Sequence, residues 1–364
     1  MTVPPLTFFF EGDDFFWSLR EALSAAKRSI DVVLYYFGSD RTGWSFAHLF
    51  AKKRAEGVKI RIVYDAVGCR GTSSDLFEEL GRNGIEVKVY NPVFPPTRHF
   101  GRRNHRKMIV IDGRIGFLGG FNLADEYSRW AFGEKAWRDT GVRIEAPEIV
   151  RTFQEIFEEE WQGRRPSLRT FIRKKIPRPN WDESDCFAVP NHGWRRKSLI
   201  RQEYLSAIAR ADRSIYITNP YFIPDRGIRS ALKRGVRRGV DVRILTAGET
   251  DVRVAKWAGR ATYASFLRAG VRIFEYQSRV LHAKTAVIDG AWWTVGTSNI
   301  DHLSFFRNLE VNLFGRNRPA AEILAAQFER DLASSKEIAL PNWVKRPWLA
   351  RVRERFFFFF RVWL

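Results

Sequence analysis

The chain has 364 residues, enough for one large domain or two ordinary ones. Apolar residues make up 45% of it and charged residues 28%, which allows a sizeable core and excludes a chain lying wholly within a membrane. Sixty-one Lys and Arg against 41 Asp and Glu give a net charge of +20, so a polyanion, either nucleic acid or anionic lipid, is the natural partner. Thirteen Trp and 30 Phe lean toward a lipid interface, although most such rings would serve equally well in a core. Two cysteines, Cys69 and Cys186, can build neither a disulfide framework nor a Cys-rich metal site, and fit a reduced, cytosol-facing protein. The opening Met-Thr-Val-Pro-Pro has no basic n-region, so no signal peptide is expected. No run approaches the roughly 18–20 apolar residues that span a bilayer. Any membrane contact is therefore expected from one side, peripherally, at the cytoplasmic face.

In chain order, the pattern is stated twice. A helical pattern over Phe16 to Ala26 leads into the β-branched run Lys27 to Phe37, which reads as a buried strand. Lys52 to Asp65 is a helix end stopped near Gly and followed by an alternating strand, and a helix ending at Gly84 precedes the strand Ile85 to Tyr90. The same order returns as a helix over Ser198 to Ala211, a strand in Asp212 to Phe222, and a helix end and strand in Lys233 to Thr246. A helix ending at Gly270 and the strand Val271 to Tyr276 complete it. This repetition predicts an α/β fold of two pseudo-twofold-related halves, each a mixed sheet flanked by helices. The expected boundaries are 1–165 for the first half, 166–190 for a Pro- and Arg-rich linker, 191–340 for the second half, and 341–364 for a basic aromatic tail. The first half carries an insertion, Val93 to Asn104, placed to overhang whatever its motif does.

Each half then contains one motif. The first is His105-Arg-Lys107-Met-Ile-Val-Ile-Asp112, six residues, then Gly119-Gly120-Phe121-Asn122; the second is His282-Ala-Lys284-Thr-Ala-Val-Ile-Asp289, six residues, then Gly296-Thr297-Ser298-Asn299. A single His-x-Lys means little, but two copies with identical internal spacing are not accidental. His and Lys two apart share one face of a strand. Asp112 and Asp289 stand at odd separation from their histidines and precede Gly, a hairpin dipeptide, so each is either a member of the site or a turn former and anchor. The returning strands, Arg114 to Leu118 and Ala291 to Val295, bring the glycines and Asn back beside His and Lys. No metal-ligand set is apparent, and no metal or cofactor is expected. A phosphoryl group suits the constellation: Lys107, Lys284, Asn122 and Asn299 bind its oxygens, one imidazole attacks phosphorus and the other protonates the leaving oxygen. A later acid in each half, Asp139 and Glu310, can fix an imidazole tautomer as in a triad.

The duplicated pattern resembles that of the phospholipase D superfamily, over nearly the whole chain. Gly-Gly-Phe-Asn-Leu-Ala-Asp-Glu-Tyr (119–127), Trp-Arg-Asp-Thr (137–140), Asn-Pro-Tyr-Phe-Ile-Pro (219–224) and Gly-Thr-Ser-Asn-Ile-Asp-His-Leu-Ser-Phe (296–305) are similar to bacterial cardiolipin synthases, most of all to the type without an N-terminal transmembrane hairpin. The resemblance implies two halves sharing one active site, a phosphohistidine intermediate and no metal requirement. It implies His105 as nucleophile and His282 as acid, with the reverse assignment open. In the implied reaction, two phosphatidylglycerol molecules give cardiolipin and glycerol. Gly120 departs from many relatives, which place Ser there, so a hydroxyl donor is missing.

The tail Trp343 to Leu364 interleaves basic and aromatic residues and suits an interfacial amphipathic helix or a helix packed on the body. Arg253, Lys256, Arg260 and Tyr263, with Pro92 to Arg103, are candidates for the lipid entrance. The rival functions are a phospholipase D hydrolase or other phosphatidyltransferase, and a superfamily nuclease, which the charge would also suit. The lipid-like flanking segments make nucleic acid the weaker partner. Oligomeric state is not legible.

Overall fold

In the computed structural model, residues 2–3, 5–92, 101–163, 186–192 and 198–363 are described. Residues 93–100 of the insertion and 166–185 of the linker lie outside them. Among the described residues, sixteen strands form two sheets. The first half supplies β1 (Thr2–Val3), β2 (Leu6–Phe9), β3 (Ser29–Leu34), β4 (Lys59–Asp65), β5 (Glu86–Tyr90), β6 (Met108–Ile111), β7 (Ile115–Gly119) and β8 (Gly141–Ile144). The second supplies β9 (Cys186–His192), β10 (Ser214–Thr218), β11 (Asp241–Ala247), β12 (Arg272–Tyr276), β13 (Thr285–Ile288), β14 (Trp292–Gly296), β15 (Leu309–Gly315) and β16 (Ser335–Glu337).

The strand orders are β1-β2-β8-β7-β6-β3-β4-β5 and β16-β12-β11-β10-β13-β14-β15-β9. In each, three parallel strands (β3, β4, β5; β10, β11, β12) continue into antiparallel partners (β6, β7, β8; β13, β14, β15), so both sheets are mixed and follow one plan. This is the α/β duplication expected. Local chemistry sets the connections. Asp40, Ser73, Ser198 and Asp225 cap helix N-termini with their side chains. Gly57 and Gly239 take the same left-handed turn, φ 90° and 91°, between helix and strand in the two halves.

One prediction needs correction. Residues 186–190, read as the end of the linker, belong to β9, which pairs along its whole length with β15. Pro190 hid the strand, yet β9 lies at a sheet edge, where a missing N–H is tolerated.

The sheets pack face to face. Val33, Val63, Met108, Val110 and Leu118 of one meet Val287, Trp293, Val295, Val311 and Leu313 of the other in a single buried cluster. Phe8 and Trp293 make an edge contact across it, with ring centroids 5.6 Å apart. Separate clusters lie under the outer helices of each half. Ion pairs add to the join: Arg138 to Asp331, buried, at 2.7 Å, and Arg279 to the half-buried Glu11 at 2.5 Å. The shared cluster is why neither half would bury its own sheet alone.

Candidate active site

Both His-x-Lys segments lie on extended chain just before β6 and β13, not within the strands. Each is held by the opposite half. The His105 amide donates to the Leu309 carbonyl at 3.0 Å, and the Leu309 amide to the Arg103 carbonyl at 2.8 Å. Likewise the His282 amide donates to Arg138 at 2.8 Å, and the Arg138 amide to Val280 at 2.9 Å. These reciprocal bridges bring together two motifs that are 177 residues apart, from 105 to 282.

The carboxylates cross in the same way. His105 Nδ1 lies 3.1 Å from both oxygens of Glu310, and His282 Nδ1 lies 2.6 Å from Asp139 Oδ2. Glu310 and Asp139 are fully buried, so each imidazole is fixed by a carboxylate from the other half. With Nδ1–H directed at the carboxylate, the Nε2 lone pair is left for chemistry. Thr297 O lies 3.1 Å from His105 Nδ1, and the Thr297 hydroxyl donates to Glu310 at 2.5 Å. At the matching place in the first half stands Gly120, where a Cβ would come within 2.1 Å of Asp139 Oδ1. The missing hydroxyl there makes room for the Asp139 carboxylate.

Lys107 and Lys284 are buried, and each ammonium donates to the carbonyl of its own motif histidine, at 2.9 Å for Lys107. Lys107 also lies 5.1 Å from the centre of the Tyr35 ring. Burial, reinforced for Lys107 by the charge of Lys284, pulls the two ammonium groups down to about 7 and about 8 respectively. Burial also pushes both imidazoles below their ordinary value, against the raising effect of their carboxylates. Asp139 is held below the carboxylate range by His282, Lys284 and its hydrogen bonds, although burial opposes this. The resting site thus holds neutral imidazoles and has capacity for a bound anion.

Asn122 accepts from the Tyr36 amide at 3.2 Å and donates to the Tyr127 hydroxyl at 2.8 Å; that hydroxyl is 3.4 Å from His282 Nδ1. Asn299 is buried with its side-chain oxygen unpartnered. His105 and Asn299 line a cavity of about 880 Å³, together with Tyr35, Tyr221 and Arg307. The Tyr221 ring is 6.4 Å from that of His282.

Asp112 and Asp289, predicted as members of the site, are not brought to it. They sit at the far ends of β6 and β13 with φ of 54° and 56°, in Asp-Gly turns. Asp112 accepts from the amides of Lys27, Arg28 and Ser29 at 2.7–2.9 Å, and Asp289 from those of Asp212, Arg213 and Ser214 at 2.8–2.9 Å. Each anchors the hairpin to the start of the neighbouring strand. The expected entrance residues also have structural duties: Arg260 pairs with Glu275 at 2.7 Å, Lys256 donates to the Gly248 carbonyl, and Tyr263 is buried. Tyr127 escaped the sequence reading, since nothing local marks a tyrosine as an imidazole's neighbour. Among the described residues, no group of three or more His, Cys, Asp or Glu side chains is arranged to hold a metal ion.

Two like sheets that share one pair of histidines, each backed by a buried carboxylate, define a phospholipase D-type fold and site. A family described as "Cardiolipin synthase, PLD-like domain" matches residues 19–161 and 204–332. The chain is 34% identical to the cardiolipin synthase of Geobacillus thermodenitrificans (strain NG80-2), over 94% of this chain and 69% of that one. It is 33% identical to the major cardiolipin synthase ClsA of Bacillus subtilis (strain 168), over 94% of this chain and 72% of that one. In fold it is similar to the phosphatidylserine synthase of Haemophilus influenzae Rd KW20, with a TM-score of 0.77 at 14% identity, covering 100% of this chain and 96% of that one. The chain belongs to the cardiolipin synthase family of phospholipase D-type phosphatidyltransferases.

Proposed function

We propose that this protein makes cardiolipin from two phosphatidylglycerol molecules and releases glycerol. The observation that carries the reading is the crossed pair of imidazole–carboxylate contacts, His105 with Glu310 and His282 with Asp139, beside two buried lysines. In the first step, His105 Nε2 attacks phosphorus and the bond to the glycerol oxygen breaks. That oxygen takes a proton from His282. In the second, His282 recovers the proton from a hydroxyl of another phosphatidylglycerol, whose oxygen attacks phosphorus as the P–N bond breaks. The negative charge of the bound phosphodiester raises the pKa of His282 and so supplies the protonated form the first step needs. Acid–base help of this kind is worth about 10²–10⁴-fold. Lys107, Lys284, Asn122 and Asn299 hold the non-bridging oxygens.

The tail supports work at a lipid surface. Its helix Trp348–Phe359 rests one side on the body: Phe357 lies against Trp257 with centroids 5.0 Å apart, and Glu354 is buried against Arg346 at 2.6 Å. The other side exposes Trp348, Val352, Phe356, Phe359 and, beyond the helix, Trp363, a stripe at helical spacing. Lys345, Arg351 and Arg355 are exposed near it. The helix thus packs one face on the body and leaves an aromatic face open to a lipid surface. No helix of the described residues is long and apolar enough to cross a membrane. We place the protein peripherally on the cytoplasmic leaflet.

The deciding experiment incubates pure protein with phosphatidylglycerol, with and without phosphatidylethanolamine, and identifies products by mass. Cardiolipin and glycerol are expected. Phosphatidic acid alone would mean a hydrolase, and cleavage of DNA with lipid untouched would mean a nuclease.

A further inference from the structure

The cavity of about 880 Å³ is much larger than one phosphoryl group requires, and part of its wall lies outside the two motifs. Arg103, Arg307, Asp301, Ser304 and Asn308 form that part. Asn308 is 7% exposed, yet its side-chain oxygen has no hydrogen-bond partner. A polar atom so deeply buried is normally satisfied, and the cavity is where a partner can come from. Asp301 is 5% exposed, and one of its carboxylate oxygens accepts from the Ser304 amide at 2.7 Å. Burial pushes this carboxyl up to about 7, so near neutral pH it can accept from a hydroxyl or donate to one. The two arginines are partly buried: Arg103 donates to the Arg102 carbonyl at 2.8 Å and its charge acts on the buried Asp65, and the Arg307 guanidinium lies 4.4 Å from the centre of the Trp363 ring.

We propose that Arg103, Arg307, Asp301 and Asn308 form an acceptor subsite for the phosphoglycerol head of the second phospholipid. The guanidiniums take its phosphodiester, and Asp301 and Asn308 take its hydroxyls. These residues line the same cavity as His105 and Asn299 but belong to neither motif. The subsite deepens the phosphatidyl-transfer reading and rests on it. Such a subsite would favour a phosphoglycerol head over water, which has no phosphodiester, and over an ethanolamine head, which offers an ammonium and no hydroxyl. Trp363, from the tail, stacks on Arg307 and lines the same cavity, so the subsite lies where the exposed aromatic stripe ends.

The test uses the full chain with dispersed short-chain phosphatidylglycerol as donor and two soluble acceptors, glycerol and glycerophosphoglycerol, with products identified by mass. The phosphorylated acceptor is expected to show a KM at least tenfold below that of glycerol. Arg307→Gln and Arg103→Gln should each erase most of that preference. Asn308→Asp, which adds a negative charge facing the phosphate, should raise the KM for glycerophosphoglycerol more than that for glycerol. Both arginines are partly exposed, so their variants are expected to fold, and thermal midpoints check this. Transfer by the wild type with equal KM for both acceptors, or an unchanged KM ratio in the arginine variants, overturns the subsite alone. A donor left intact, or hydrolysed with no transfer to either acceptor, overturns the phosphatidyl-transfer reading and the subsite with it.

Discussion

The crossing of carboxylates between halves makes Glu310→Gln the most informative single change. Glu310 is fully buried, accepts the Thr297 hydroxyl at 2.5 Å and places both oxygens 3.1 Å from His105 Nδ1. Glutamine is nearly isosteric but has one acceptor oxygen for two donors. Loss of a hydrogen bond to a charged group costs about 1.5–3 kcal/mol, or roughly 10- to 150-fold in rate. If the amide nitrogen turns toward His105, the imidazole must carry its proton on Nε2, and the attacking lone pair is gone. The analogous change in a serine-protease triad costs about 10⁴-fold. We therefore expect a fall of about 10²–10⁴-fold in the rate of glycerol release from phosphatidylglycerol. The pH profile separates positioning from mere structure. Glu310 raises the His105 pKa against the lowering effect of burial, so its neutralisation lowers that pKa further. His105 attacks only when unprotonated, so the acid limb of the profile should move to lower pH. Thermal stability should fall by no more than about 1.5–3 kcal/mol, because the side-chain shape is kept and one buried donor loses its acceptor. A folded variant within threefold of the wild-type rate would refute the crossed-site account.

The two imidazoles should behave as one unit: His105→Ala and His282→Ala should each abolish at least 10³-fold of the activity, and the double variant should be no worse than either. Near-normal turnover in either single variant would contradict a shared site. Because Lys107 and Lys284 are pulled down to about 7 and about 8 in the empty site, a bound phosphodiester anion should raise both, and binding near pH 8 should take up protons. Calorimetry of dimethyl phosphate binding in buffers of different ionisation enthalpy measures this, and proton release would count against it. Trp348→Glu combined with Phe356→Glu should weaken binding to anionic vesicles while sparing turnover of detergent-dispersed lipid, since each buried aromatic side chain is worth roughly 1.5–3 kcal/mol. Unchanged sedimentation with vesicles would place the membrane contact elsewhere. These substitutions are better than deletion from Pro341, which would also remove Trp343, buried and stacked on Tyr263 at 4.9 Å.

The duplication made most of the fold legible, because strand and helix patterns are local and each copy checked the other. The His, Lys and Asn positions were legible for the same reason. Asp112 and Asp289 were ambiguous because an acid before Gly looks the same whether it serves a turn or a site; three backbone amides from a distant segment decide the matter. Long-range pairing was not legible. Asn104 bridges Leu309, and Arg138 bridges Leu281, through backbone contacts that no periodicity marks. Nor could the sequence show that Asn308 would be buried without a partner, since that depends on which elements surround it.

The two halves share a plan but not a set of side chains, and the differences fall around the histidines. In the first half, Gly120 leaves space for Asp139, and the Tyr127 hydroxyl links Asn122 to His282. In the second, Thr297 adds a hydroxyl donor to the longer Glu310, and Asp301 caps a short helix beside the cavity. Because each acid serves the other half's imidazole, these differences reach across the join. His282 lies in the tighter contact, 2.6 Å against 3.1 Å for His105, and has Tyr127 as a further neighbour. His105 faces the large cavity, with its carboxylate, Thr297 O and the edge of Tyr35 among its neighbours. A transfer reaction that forms and then breaks a bond to one imidazole asks different things of its two histidines. A symmetric site would supply two equal bases. Here one frame, repeated, brings two histidines together from opposite halves, and a few unmatched side chains give the two imidazoles different surroundings.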